Sequence, residues 1–119
     1  NFANDEILKK KINNKHIIFA RSIFLQGILL NKKIKKKLPK KIHILHQKYF
    51  KEIEKRQVNP LNLCINHAVN QNKIKYILIG CDNVNQLKKI LNISIDKKIK
   101  DYNYYKNLFN VPEAKIINF

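Results

Sequence analysis

The sequence predicts an α/β fold in which two parallel strands are flanked by helices. Two short apolar runs, residues 16–20 and 74–79, are rich in β-branched and aromatic residues, which is typical of buried strands. The segments between and after these runs carry apolar residues at helical spacing. Strands that are apolar on both faces and joined by helices form parallel sheets that the helices cover.

The length of the chain limits the size of this fold. With 119 residues, of which 45% are hydrophobic, the chain is expected to form one small domain. Two strands alone make too small a sheet to bury both faces, so further strands are expected from outside this chain. The chain also contains no methionine. We therefore expect a single partial domain over residues 1–119, with residues 93–119 as a C-terminal tail.

The formal net charge of +17 raises the question of nucleic-acid binding. The basic residues are spread from Lys9 to Lys115 and include only two arginines, Arg21 and Arg56. Scattered lysines are typical of a solvated surface, whereas a binding surface gathers its charge on one face. Nucleic acid is therefore not the expected partner. No membrane partner is expected either, because no apolar run reaches the ~18 residues that a transmembrane helix needs.

Cysteine use indicates a reducing compartment. The chain has two cysteines, Cys64 and Cys81, and they form no Cys-x-x-Cys motif. Neither a disulfide framework nor a zinc site is expected, so the cytoplasm is the predicted location. Cys64 lies on an apolar helical stripe and Cys81 directly follows the second strand. Both are predicted to be packing residues and not nucleophiles.

After the first strand, a loop and a helix are predicted. Residues 31–37 are nearly all lysine and asparagine, which indicates an exposed loop. From Pro39 to Arg56 a periodic apolar stripe predicts an amphipathic helix. The stripe consists of Ile42, Leu45, Tyr49 and Ile53. His43 and His46 are three residues apart, a spacing that can bind a metal, but no further ligand lies near them in the sequence. Packing or solvent exposure is therefore predicted for both.

Two further helices surround the second strand. Asn59-Pro60 predicts a helix start, because asparagine is a good N-cap and proline suits the first helical position. The apolar face of this helix is predicted to be Leu61, Cys64, Ile65, Ala68 and Val69. After the strand and Gly80, Asn83 is predicted to cap a last helix. Its apolar residues are Val84, Leu87, Ile90 and Leu91.

The corner from the second strand through Gly80 to the helix capped by Asn83 is a candidate anion site. Free backbone N–H groups and the positive end of the helix dipole would point beyond the strand. The alternative is a tight turn that needs glycine only for its conformational freedom.

The two ends of the chain are less informative. Ile7 and Ile12 indicate the last turns of a helix that precedes the first strand. The tail carries an aromatic cluster that can stack bases but is predicted to pack over the end of the domain. The cluster comprises Tyr102, Tyr104, Tyr105, Leu108 and Phe109.

Four short motifs occur in a fixed order along the chain. They are Arg21-Ser-Ile-Phe-Leu-Gln-Gly-Ile-Leu-Leu30, Leu38-Pro39, Asn59-Pro60 and Ile79-Gly80-Cys-Asp-Asn-Val-Asn-Gln86-Leu87. With these motifs the chain resembles the C-terminal part of the aldo/keto reductase family over most of residues 15–92. The resemblance implies the C-terminal fragment of a (β/α)8 TIM barrel, with residues 16–21 as its seventh strand and 74–80 as its eighth.

The resemblance also implies a function. Members of the family reduce carbonyl groups with NADP or NAD, so the parent protein is expected to transfer hydride to a small aldehyde or ketone. In such barrels the loops after strands 7 and 8 often bind phosphate. The implied cofactor-binding residues are Ser22, Ile23, Phe24, Leu25, Gly27, Gly80, Asp82, Asn83 and Gln86. Catalytic residues of the family come from earlier strands, so this chain alone is expected to be inactive.

Two departures from the family pattern concern the choice of cofactor. Asp82 stands where NADP-preferring members carry Arg, Ser or Thr, and a carboxylate repels the 2′-phosphate at short range. Ile90 stands where an adenine-contacting asparagine is common. The resemblance therefore leaves NAD and NADP both open. A small basic nucleic-acid-binding protein, or the inert remnant of a truncated gene, are the alternative interpretations of the chain.

Overall fold

A computed structural model describes residues 16–34 and 38–95. Within them the elements follow in the order β1 (Ile18–Arg21), α1 (Lys40–Arg56), α2 (Pro60–Val69), β2 (Ile74–Leu78) and α3 (Val84–Leu91). The predicted α/β arrangement is thus confirmed, with each element within two residues of its expected start. The predictions for Ile7, Ile12 and the aromatic tail lie outside the described residues.

The two strands pair in parallel, as predicted. Phe19 pairs with Tyr76 and Arg21 with Leu78, and a register irregularity follows Ile18. The rings of Phe19 and Tyr76 stack with their centroids 5.0 Å apart. Because the strands are parallel, the chain leaves both of them at the same edge of the sheet. The segment after Arg21 and the segment after Leu78 are therefore neighbours.

The prediction that both strands are buried is wrong for the described residues. Phe19 is 55% exposed, Tyr76 is 48% exposed and Leu78 is 55% exposed. A two-stranded sheet has too few neighbours to cover both of its faces, as the sequence also indicated. The apolar side chains of α3 are uncovered in the same way: Val84, Leu87 and Leu91 are all exposed.

The hydrophobic core lies between α1, α2 and the segment that follows β1, and not against the sheet. Its buried residues are Leu29, Tyr49, Phe50, Ile53, Leu63 and Cys64. Tyr49 and Phe50 meet edge to face with their ring centroids 5.0 Å apart, a favourable aromatic geometry. The core therefore fixes the chain that leaves β1 onto the two central helices.

The apolar face of α2 differs in part from the predicted one. Leu63 is buried and Val69 is exposed, whereas Val69 was expected inside. Asn66 is only 1% exposed, because its Nδ2 donates to the carbonyl oxygens of Asn62 and Ser94, each at 3.1 Å. A hydrophobic pattern does not predict such a residue, since its burial depends on polar partners elsewhere.

The predicted helix starts at Asn59 and Asn83 are confirmed. Oδ1 of Asn59 accepts from the backbone N–H of Leu61 at 2.9 Å, and Pro60 is the first helical residue. Oδ1 of Asn83 accepts from the N–H of Gln86 at 2.9 Å. Both caps satisfy amides that the helix itself leaves without acceptors. None of the helices in residues 16–34 and 38–95 has the length and apolar content to span a membrane.

Candidate functional site

An open cleft of about 1160 Å³ lies where the chain leaves the two strands. Its walls are the segment after β1, the first residues of α2, the end of β2 and one face of α3. The volume is of the order found for sites that bind organic ligands and cofactors, roughly 300–1000 Å³. The parallel pairing of β1 and β2 creates this cleft, because it places the two outgoing segments side by side.

Most of the residues implied by the family resemblance line this one cleft. They are Ser22, Ile23, Phe24, Gly27, Gly80, Asp82 and Gln86. Leu25 does not line it and packs instead against the hydrophobic core. Asn83 also stays outside the cleft wall, and its side chain is used to cap α3. Leu25 and Asn83 therefore lie beside the cleft and are not part of its wall.

The segment after β1 turns tightly through several left-handed residues. The φ angles are 56° for Ser22, 47° for Leu25, 54° for Gln26 and 83° for Gly27. Non-glycine residues seldom adopt such angles, and strained backbone of this kind is concentrated at functional sites. The turn is closed by the N–H of Leu25, which donates to the carbonyl of Ser22 at 2.9 Å.

Two amides of this turn make no backbone hydrogen bond to the described residues. Within the described chain, the backbone bonds of the turn use the amides of Leu25, Gly27 and Ile28, but not those of Ile23 and Phe24. Ile23 and Phe24 both line the cleft. Backbone N–H groups in a concave turn are suitable donors for an anion such as a phosphate.

Gly80 also lines the cleft, and the space around it is open. A Cβ atom at this position would meet nothing within 4 Å, so no packing contact requires glycine here. Gly80 also does not adopt a left-handed φ, unlike Gly27. The tight-turn explanation therefore does not account for this glycine. The open space leaves the backbone at Gly80 accessible from the cleft, and a side chain at this position would occupy that space.

Asp82 and Gln86 form a closed contact at the start of α3. Oε1 of Gln86 accepts from the backbone N–H of Asp82 at 2.9 Å, and Nε2 of Gln86 donates to Oδ2 of Asp82 at 3.4 Å. The helix dipole favours a carboxylate at this end of α3. The contact places a negative charge in the cleft wall, and the cationic side chains of Arg21 and Lys89 line the same cleft.

Arg21 and Lys89 were not among the predicted site residues. Arg21 is the last residue of β1. Its position at the strand end, next to the turn, indicates in the sequence that it belongs to the site. Lys89 is three residues after Gln86 on α3, so helical spacing places both on one face. These two side chains are the cations that line the cleft in the described part of the chain.

The cysteines differ in their environments. Cys64 is buried, as predicted for a packing residue, and this burial raises the pKa of its thiol to about 11. A hydrogen bond with Tyr49, whose hydroxyl oxygen is 4.0 Å from Sγ, partly opposes that effect. Cys81 is exposed, so the packing prediction is wrong for it. No layer of the described structure covers the end of β2 where Cys81 lies.

The two histidines of α1 lie in different surroundings. His46 is 3% exposed and its Nε2 contacts backbone carbonyls, whereas His43 is exposed. The packing prediction is thus confirmed for His46. Across residues 16–34 and 38–95, no group of three or more potential metal ligands lies together.

Comparison of the chain with models of protein families, with curated proteins and with solved structures gives no match.

Proposed function

We propose that the cleft binds the phosphates of a nicotinamide dinucleotide and that the chain is the C-terminal part of an aldo/keto reductase barrel. One observation carries the proposal: the open backbone at Gly80 and the strained turn after β1 line the same cleft. Both features follow strand ends, where parallel α/β barrels place their ligand sites. The alternative in which the chain binds nucleic acid has no comparable feature to support it.

The exposed sheet supports the barrel part of the proposal. In the described structure β1 and β2 pair only with each other, and large apolar side chains on both strands are exposed. A sheet of this kind gains stability from further strands and from helices over its outer face. In the proposed parent, the remaining strands would extend the sheet and α3 would pack with its neighbours.

The residues of the cleft suit the polar parts of a dinucleotide. The amides of Ile23 and Phe24 can donate to the pyrophosphate, and Arg21 can neutralise part of its charge. Gln86 and Lys89 line the same cleft from α3, and the adenosine end would extend towards them. When bound, the nicotinamide ring supplies the hydride for reduction of an aldehyde or ketone. The residues of this chain hold and orient the cofactor, and the catalytic residues belong to earlier strands.

Asp82 bears on the choice between the two cofactors. Its carboxylate lines the cleft and is held by Gln86, with Nε2 of Gln86 at 3.4 Å from Oδ2. A fixed carboxylate raises the free energy of a nearby 2′-phosphate, which NADP has and NAD lacks. The proposal therefore favours NAD. It also places the parent enzyme in the cytoplasm, where the two free cysteines would stay reduced.

The test uses the full-length protein and a side chain placed in the open space at Gly80. Binding of NAD and NADH is measured by calorimetry for the wild type, for Gly80→Val and for the control Cys81→Val. Gly80→Val should raise the Kd by about tenfold or more, because the valine occupies the cleft. Cys81→Val adds bulk to the neighbouring residue, which does not line the cleft, and should leave the Kd within about twofold.

Two results would overturn the proposal. One is a full-length wild-type protein that binds neither NAD nor NADP at millimolar concentration. The other is tight binding of mixed-sequence DNA or RNA that weakens steeply with salt, which would favour the nucleic-acid alternative.

A further inference from the structure

Helix α1 contacts the chain that follows β1 through two buried polar side chains. Nε2 of His46 lies 3.1 Å from the carbonyl oxygen of Ile28 and 3.0 Å from that of Asn31. The hydroxyl of Tyr49 donates to the carbonyl oxygen of Leu29 at 3.2 Å. His46 and Tyr49 are three residues apart, so they lie on one face of α1. Together they contact three carbonyls within four consecutive residues.

The chemistry of the contact defines the state of His46. Carbonyl oxygens only accept hydrogen bonds, so Nε2 must carry a proton that both carbonyls share. His46 and Tyr49 are both buried, and loss of either donor would leave a buried carbonyl, that of Ile28 or of Leu29, without this partner. These contacts therefore resist displacement.

The contacted carbonyls belong to the same hydrogen-bonded unit as the strained turn. The N–H of Ile28 donates to the carbonyl of Leu25 at 3.1 Å, and the N–H of Leu29 donates to that of Phe24 at 3.2 Å. The N–H of Asn31 donates to the carbonyl of Gly27 at 3.2 Å. A constraint on residues 28–31 is thus passed directly to residues 24–27.

The turn needs such a constraint. Leu25 and Gln26 have φ angles of 47° and 54°, and both angles strain a non-glycine residue. A strained backbone persists only where its surroundings hold it in place. The exposed ion pair from Lys32 to Glu54, 2.6 Å between Nζ and Oε1, adds a third link to α1 but contributes little, because water screens it.

We propose that His46 and Tyr49 are positioning residues that hold the turn after β1 in the conformation that receives the cofactor phosphates. The inference rests on the proposed function, since it assigns these residues to the same cleft. Neither side chain lines the cleft, so both act through the backbone of the turn. Their effect should fall on cofactor binding and on the local stability of residues 22–31.

The experiment compares three variants of the full-length protein. His46→Leu removes the donor and keeps the side chain's bulk, His46→Gln restores an amide donor near the position of Nε2, and His43→Leu changes an exposed histidine on the same helix. His46→Leu should raise the Kd for NAD about tenfold, and His46→Gln should recover most of that loss. His43→Leu should leave the Kd unchanged.

Hydrogen exchange tests the positioning role of His46 independently of the proposed function. The amides of residues 22–31 should exchange faster in His46→Leu, while those in the middle of α2 keep their rates. If the wild type binds no dinucleotide but this local acceleration occurs, the proposed function fails and the anchoring of the turn stands. If the wild type binds NAD and His46→Leu binds it equally well with unchanged exchange, the positioning inference fails.

A second variant covers the case in which His46→Leu does not fold. Tyr49→Phe removes only the hydroxyl and retains the ring in the core. It should raise the Kd for NAD about threefold and speed exchange around Leu29. Unchanged binding and exchange in a folded Tyr49→Phe protein would overturn the role of Tyr49.

Discussion

Gly27 and Asn31 are joined by two hydrogen bonds to a single carbonyl oxygen. The backbone N–H of Asn31 donates to the carbonyl of Gly27 at 3.2 Å, and Nδ2 of Asn31 donates to the same oxygen at 3.0 Å. A Cβ atom on Gly27 would lie 3.4 Å from that Nδ2. The left-handed φ of 83° favours glycine at the end of the turn, whereas the 3.4 Å separation is an ordinary van der Waals contact that accepts a methyl group.

Substitution of Gly27 and substitution of Gly80 should have different effects on the free energy of unfolding. Gly27→Ala should lower the free energy of unfolding by about 1–2 kcal/mol, because alanine is strained at this φ. Gly80→Ala should change it by less than about 0.5 kcal/mol, since nothing lies near the added methyl group. Urea denaturation of both variants measures the difference, with the m-value as a check that the transition is unchanged. Equal losses of stability would contradict the assigned roles.

Removal of the charge at Asp82 should move cofactor preference towards NADP. Asp82→Asn keeps the shape of the side chain but removes its repulsion of the 2′-phosphate. The ratio of the Kd for NADP to the Kd for NAD should fall by about tenfold, and the change should be smaller at high salt.

A variant that adds a negative charge to the cleft provides the control for Asp82→Asn. Gln86→Glu adds a carboxylate to the same wall of the cleft and should raise that ratio. Kd values for both cofactors, measured at two salt concentrations, decide the question. A ratio that is the same in Asp82→Asn and the wild type would show that the carboxylate does not face the 2′ position.

The elements that the sequence predicted well depend on neighbouring residues. Asn59 and Asn83 cap their helices through bonds to amides two or three residues away, so the local sequence contains the whole interaction. The same holds for the corner at Gly80, where strand, glycine and cap follow one another directly. The placement of most of the implied site residues around one cleft follows from the parallel pairing of β1 and β2, which brings the two outgoing segments together.

The features that the sequence did not predict depend on distant residues. Asn66 is buried because it reaches the carbonyl of Ser94, 28 residues away, and the contact that His46 makes with the carbonyl of Ile28 spans 18 residues. The burial of β1 and β2 was overestimated for the same reason. The apolar residues of a strand show that it can be buried, but the elements that cover it come from distant parts of the sequence.

The ionisation of Cys64 should make stability depend on pH in the alkaline range. Burial raises the pKa of this thiol from its usual 9.0 to about 11 in the folded protein. Between these values the unfolded chain loses a proton that the folded protein retains. The free energy of unfolding should therefore fall as the pH rises through this window, by about 2 kcal/mol at pH ~10.5, and should be unaffected by this group below pH ~8.

A variant without the thiol isolates this contribution from the lysines and tyrosines that titrate in the same range. Cys64→Val has similar volume and no ionisable group, so its stability should decline less between pH ~8 and ~10.5. The measurement is urea unfolding of both proteins at each pH under reducing conditions. The wild type should lose about 2 kcal/mol relative to Cys64→Val over that interval. A constant difference between the two proteins would mean that Cys64 ionises as easily in the folded protein as in the unfolded chain, and that the core around Tyr49 admits water.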